Sequence, residues 1–172
     1  TPEKRREFKT EIQNLLEEEF SDADLFVLKD PRICRLLPLY LEIFAEMEIE
    51  PRFILPLRDP MAVARSLALR DDMSPSFGAL LWLRYVLDAE AGTRGAQRVL
   101  VSYDALIEDW KTTVGEIGSS LQIKWPRAAD AAAEDVGAFL RRDLRHHAPD
   151  TAAITQVFDD PSWVGRAYRP LE

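Results

Sequence analysis

Two short stretches of this sequence set a cation, an aspartate and a proline in a row after an apolar run. The first is Leu25-Phe26-Val27-Leu28-Lys29-Asp30-Pro31-Arg32. The second is Phe53-Ile54-Leu55-Pro56-Leu57-Arg58-Asp59-Pro60. Aspartate is a strong helix N-cap because its carboxylate accepts orphan amide hydrogens. Proline suits the first helical position, where its missing donor is not needed. Each junction therefore predicts a strand running into a helix N-terminus, with the cation at the strand's carboxyl end. Helix N-termini carry free amides and partial positive charge, which favour phosphate or sulfate. On two parallel strands Lys29 and Arg58 would face one edge, the edge where open α/β sheets bind ligands. Ser66 lies seven residues beyond Asp59, about two helical turns, so it returns to the face of the cap and can donate toward a ligand near Arg58. Arg58 supplies a planar, permanently charged fork for phosphate oxygens. The chemistry is anion binding. Either junction taken alone is also ordinary capping, with its cation paired to a surface carboxylate.

The elements that must position these residues follow from periodicity. Phe8, Ile12, Leu15, Leu16 and Phe20 recur at helical spacing in the first twenty residues, behind a Thr1-Pro2-Glu3 cap. Strands are predicted near 25–29, 52–57 and 98–102. Pro56 removes a ladder donor from the second. Helical periods run from Ile33 to Met47, where Pro38 is expected to kink or divide the helix. They resume over Met61–Arg70, Ala79–Gly92, Asp104–Leu121 and Arg127–His147. From Ala148 onward four Pro and Gly residues predict irregular chain. Strand and helix alternate, with connections too long for hairpins. The fold class is α/β, a parallel sheet flanked by helices, in one domain spanning 1–172.

Composition excludes several functions. The chain has 172 residues, with 22 Lys+Arg against 30 Asp+Glu and a formal charge of −8. An acidic chain is a poor general nucleic-acid binder. One cysteine, Cys34, excludes an intramolecular disulfide and a cysteine zinc cluster. No stretch approaches the ~20 apolar residues of a membrane helix. The basic N-terminus is not followed by an apolar run, as a signal peptide would be, so a cytoplasmic setting is expected. His146 and His147 point different ways on a helix and have no recognised metal-ligand spacing with Asp143 or Asp150; no metal site is expected. Cys34 reads as a small core residue, although a position after a helix cap can lower a thiol pKa. Trp82 and Tyr85, set among leucines, read as core rather than as a platform for adenine. Glu17-Glu18-Glu19 reads as a solvated helix face.

Leu57-Arg58-Asp59-Pro60, followed by Val63 and Ser66-Leu67, resembles the 3′-phosphate-binding motif of the sulfotransferase family. That motif is an arginine, a Pro-containing turn and a serine eight residues after the arginine. The resemblance implies that Arg58 and Ser66 hold the 3′-phosphate of 3′-phosphoadenosine 5′-phosphosulfate, the nucleotide sulfate donor. Lys29-Asp30-Pro31 is similar to a segment of protein-tyrosine sulfotransferases, which implies a catalytic place for Lys29 near the transferring sulfuryl group. Leu81-Trp82-Leu83-Arg84 and Val101-Ser102-Tyr103-Asp104-Ala105-Leu106 resemble further parts of bacterial sulfotransferase-like proteins, over roughly residues 20–122. The resemblance implies a P-loop NTPase-like fold of the sulfotransferase type. The family's Ser/Thr-containing phosphosulfate loop has no counterpart here. There is no G-x-x-x-x-G-K-[ST], and no glycine precedes Gly78. A domain incomplete at its N-terminal side is expected.

The expected activity is sulfuryl transfer to a hydroxyl or amine acceptor, by positioning and charge neutralisation. Asp30 is the nearest candidate base, in competition with its capping role. The rival expectation is a non-catalytic α/β module that binds an anion or a partner and accompanies a glycosyltransferase.

Overall fold

A computed structural model of the chain describes residues 1–140. Helix α1, Pro2–Phe20, starts where Thr1 accepts a hydrogen bond from the Lys4 amide, with Pro2 in its first turn. It lies along α2, Ile33–Glu46. Leu16, Ile43 and Phe44 are buried between the two. The Arg5 guanidinium forks onto Glu42 at 2.7 and 2.8 Å, and Lys9 donates to Glu46. Pro38 sits inside α2 without dividing it. It removes the bond to the Cys34 carbonyl, one turn back, and the exposed proline ring meets solvent.

Among the described residues the sheet has two strands, β1 (Phe53–Leu57) and β2 (Arg98–Ser102), paired in parallel from Phe53↔Arg98 to Leu57↔Ser102. Parallel neighbours need a crossover. Here it is a helical hairpin of α3 (Pro60–Asp71) and α4 (Pro75–Gly92). Asp72 turns the chain in the left-handed region (φ 54°), and Ser74 caps α4 ahead of Pro75. The two helices close up at Gly78, where a Cβ would stand 3.0 Å from the Ala64 Cα. After β2 come α5 (Tyr103–Glu108) and α6 (Trp110–Ser120), then a 3₁₀ turn at Asp130–Ala132 and α7 (Ala133–Phe139). Leu55 and Leu57 are buried on β1, and Val101 of β2 packs under Ile117 and Leu121. The Phe53 amide donates to the Gln97 carbonyl across the pair. Backbone alternation therefore turns Pro56 to the opposite edge, where its missing donor breaks no ladder bond.

The architecture is α/β with a parallel sheet, and the expected strands at 52–57 and 98–102 are the two observed. The strand expected over 25–29 is absent. Residues 25–30 have no regular secondary structure. Phe26 and Leu28 turn inward onto the α1–α2 cluster, and Phe26 stacks on Phe20 at 4.5 Å between ring centroids. Leu25 and Val27 face solvent at 43% and 70% exposure. The apolar run is satisfied by local helices rather than by a sheet. The helix expected over 104–121 is two helices, broken at Asp109, whose carboxylate caps α6 by accepting from the Thr112 amide. The helix expected over 127–147 begins with the 3₁₀ turn, and its part beyond Leu140, with His146 and His147, lies outside the described residues. Among the described residues no helix is long and apolar enough to cross a membrane.

Candidate anion-binding site

Arg58 is the first residue after β1, and Tyr103 the first after β2. Because Leu57 pairs with Ser102, the parallel register carries the next residue of each strand to the same carboxyl edge. The Arg58 guanidinium carbon lies 4.7 Å from the centroid of the Tyr103 ring, a cation–π contact. Asp59 follows with extended backbone and a side chain only 5% exposed. Its carboxylate accepts from the Ala62 amide at 2.7 Å, which starts α3 at that edge. Ser102 caps α5 in the same way, accepting from the Ala105 amide. Two helices thus begin beside Arg58. Among the described residues Arg58 has no ion-pair partner, whereas Arg5, Arg32, Arg35, Arg70, Arg84 and Arg94 each hold a carboxylate.

Ser66 is exposed on α3, two turns beyond the Asp59 cap. Seven residues of helix advance about 10 Å along the axis. The Arg58 guanidinium lies over the Tyr103 ring, and no contact joins it to Ser66 among the described residues. Among the described residues Arg65, next to Ser66, keeps its Nε buried and without a hydrogen-bond partner.

Lys29 is placed differently. It is exposed, it follows no strand, and the helix beyond it starts two residues later than its Asp-Pro predicts. Asp30 does not cap that helix; Arg32 occupies the cap position, and its side chain makes no capping bond. Asp30 instead accepts from the Arg32 amide at 2.7 Å and from the Arg32 guanidinium at 2.9 and 3.1 Å. Those bonds hold the Asp30 carboxyl at about 2, below the ordinary carboxylate range. An acid that strong is a poor proton acceptor near neutrality. Cys34 is half-buried, and desolvation first, then the Asp88 carboxylate, push its thiol up rather than down. Trp82 is buried with Leu83 in the α4 cluster, as its apolar neighbours predict.

Asp88 was not legible as a hub: it bridges α2 to α4 through Arg35 at 2.5 Å and also takes Arg84 at 3.0 Å. Arg84 to Asp88 is an i,i+4 pair visible in the sequence; Arg35 is a tertiary partner and is not. The Arg58–Tyr103 contact is likewise tertiary, although both residues directly follow predicted parallel strands. Among the described residues no three His, Cys, Asp or Glu gather as a metal site. A concavity of about 540 Å³ lies elsewhere, lined by Leu106, Trp110, Trp125, Val136 and Phe139. Neither it nor a smaller one of about 90 Å³ beside β2 includes Arg58, Ser66 or Lys29. No family model, no curated protein and no solved structure matches the chain.

Proposed function

We propose that the chain is a sulfotransferase-like α/β domain, of the P-loop NTPase-like type, that holds the 3′-phosphate of 3′-phosphoadenosine 5′-phosphosulfate with Arg58 and Ser66. The observation that carries this reading is the position of Arg58. It stands at the carboxyl edge of a parallel pair, free of any carboxylate among the described residues, and directly before the buried cap that opens α3. A phosphate there would meet the guanidinium fork; the opening of α3 is already served by Asp59, which takes the Ala62 and Val63 amides, and Pro60 has none to offer. The Ser66 hydroxyl would complete its shell from two turns along the helix.

In this reading an acceptor oxygen or nitrogen attacks sulfur and gives up its proton to water, the bond from sulfur to the bridging phosphate oxygen breaks, and adenosine 3′,5′-bisphosphate leaves. Lys29 is assigned to the charge on that leaving oxygen, on the strength of the Lys-Asp-Pro resemblance alone. A second reading, a non-catalytic anion- or partner-binding module, is favoured by one observation: Asp30 is tied to Arg32 and too acidic to serve as the base.

Calorimetry with adenosine 3′,5′-bisphosphate tests the binding. The wild-type chain should bind it. Arg58→Ala should weaken binding by about 1.5–3 kcal/mol, the range for a charged hydrogen bond, and Ser66→Ala by about 0.5–1.5 kcal/mol. No heat at millimolar ligand overturns the donor-site reading. Binding without transfer to any hydroxyl or amine acceptor selects the non-catalytic one.

A further inference from the structure

We propose that Tyr103 is a positioning residue for Arg58: its ring holds the guanidinium at the sheet edge while, among the described residues, every N–H stays free for an anion. The ligand half of this inference rests on the reading above; the positioning half does not.

A carboxylate is the usual way to fix an arginine, and most of the described arginines have one; Arg6 and Arg65 join Arg58 in having none. Arg5, Arg32, Arg70 and Arg94 each spend two or more N–H bonds on an acid. Such a pair cancels the charge and occupies the fork that a phosphate would need. An aromatic face does neither. It attracts the cation through the ring quadrupole and accepts none of its five N–H donors in the way an oxygen does. At 4.7 Å from the ring centroid, Arg58 is within cation–π range. Both partners are half-buried, so the contact is screened less than a surface pair.

The backbone imposes this pairing. Leu57↔Ser102 is the last rung of the ladder, so the residues that follow begin from adjacent positions. Arg58 leads into α3 and Tyr103 is the first residue of α5, and each helix is fixed by its own cap, Asp59 or Ser102. Asp59, the carboxylate nearest in sequence, is engaged with the Ala62 amide and buried. The arrangement presents one oriented cation, paired to no carboxylate among the described residues, where two parallel strands end.

The first test needs no ligand. In side-chain NMR of the full chain, with Arg58→Lys to assign the signal, the Arg58 Hδ and Hε protons should show a ring-current shift. Tyr103→Phe should keep the shift and Tyr103→Leu should remove it. Absence of the shift in the wild-type chain overturns the proposal, whether or not Tyr103→Leu folds. The second test is titration with adenosine 3′,5′-bisphosphate. Tyr103→Leu should lose about 5- to 30-fold in affinity, the worth of a partly desolvated cation–π contact, while Tyr103→Phe stays within about twofold. A Tyr103→Phe loss as large as that of Tyr103→Leu overturns the positioning role, because the hydroxyl would then be touching the ligand. If the wild-type chain shows the ring-current shift but binds no bisphosphate, the donor-site reading falls and the positioning of Arg58 stands.

Discussion

Replacing Asp59 by alanine should be among the more damaging polar substitutions in this chain, for a reason that separates it from every exposed cap. Asp59 accepts from the Ala62 amide at 2.7 Å, and both residues are buried, at 5% and 2% exposure. Truncation removes the acceptor and leaves that amide without a water to replace it. An ordinary N-cap loss costs about 0.5–2 kcal/mol, and an orphaned buried donor about 1–3 kcal/mol. These are two views of one bond, so they are not summed, and about 2 kcal/mol is expected. For a chain of this length that lowers the melting temperature by about 4–8 °C. Ser74 is the control: it caps α4 with the same geometry, but its bond to the Phe77 amide is 3.3 Å long and exposed. Water can replace it, so Ser74→Ala should cost less than about 1 kcal/mol. Asp59→Asn keeps an acceptor and should recover most of the loss. Urea and thermal unfolding of the three variants against wild type decide the matter. An Asp59→Ala loss no larger than that of Ser74→Ala would refute the argument from burial, and so would an Asp59→Asn as unstable as Asp59→Ala.

Gly78→Ala should destabilise by about 1–3 kcal/mol, because its Cβ would meet the Ala64 backbone at 3.0 Å. Gly115→Ala, with nothing within 4 Å and a helical position in α6, should instead stabilise by up to about 1 kcal/mol; melting temperatures of the pair check both signs. Acidification should loosen α1 from α2. Hydrogen bonds from Arg5 and Lys9 lower the Glu42 and Glu46 carboxyls, so their contribution is full above the ordinary glutamate range and is lost as pH falls through the depressed values. Amide exchange in α1 at pH 6 and pH 3 measures this; equal protection of α1 at both would contradict it. Asp30→Asn should leave any sulfuryl-transfer rate within about threefold, since a carboxylate held at about 2 is a weak base. A hundredfold loss would restore Asp30 as the base.

The parts of the fold legible in the sequence are those whose signals are local. Thr1-Pro2 and Asp59-Pro60 each spell a cap and a first-turn proline, and each starts a helix, whereas α4 starts at Pro75 behind the Ser74 cap, four residues ahead of the expected Ala79. Phe53–Leu57 and Arg98–Ser102 are short apolar runs that pair as parallel strands. Illegible parts depend on what an element meets. Leu25-Phe26-Val27-Leu28 has strand composition, but Phe20 and the α1–α2 cluster lie close enough to take Phe26 and Leu28. Asp109 breaks one helical period into two, because a capping aspartate competes with helix continuation and the period alone does not register it. Arg58 could be placed at a strand end from sequence; its ring partner required the register of two strands forty-five residues apart.

The two Asp-Pro junctions show how one residue beyond a motif redirects its chemistry. Both begin as cation, aspartate, proline. In the second, Met61 and Ala62 follow and are buried, so the aspartate is drawn inside and its carboxylate has only the helix amide to serve. In the first, Arg32 follows. Its amide and its guanidinium both reach the Asp30 carboxylate, which closes a local loop, spends the acid and delays the helix to Ile33. The same fork leaves Asp30–Arg32 neutral as a pair, so the Lys29 end has no helix cap and no free acid. The Arg58 end has a buried cap, an aromatic holder and a cation that no carboxylate among the described residues cancels. The structure therefore weights its anion-binding potential toward the second junction. A site built on Arg58 needs nothing from Lys29 to grip a phosphate, whereas a transfer reaction would need Lys29 to be supplied with the order that its own junction lacks.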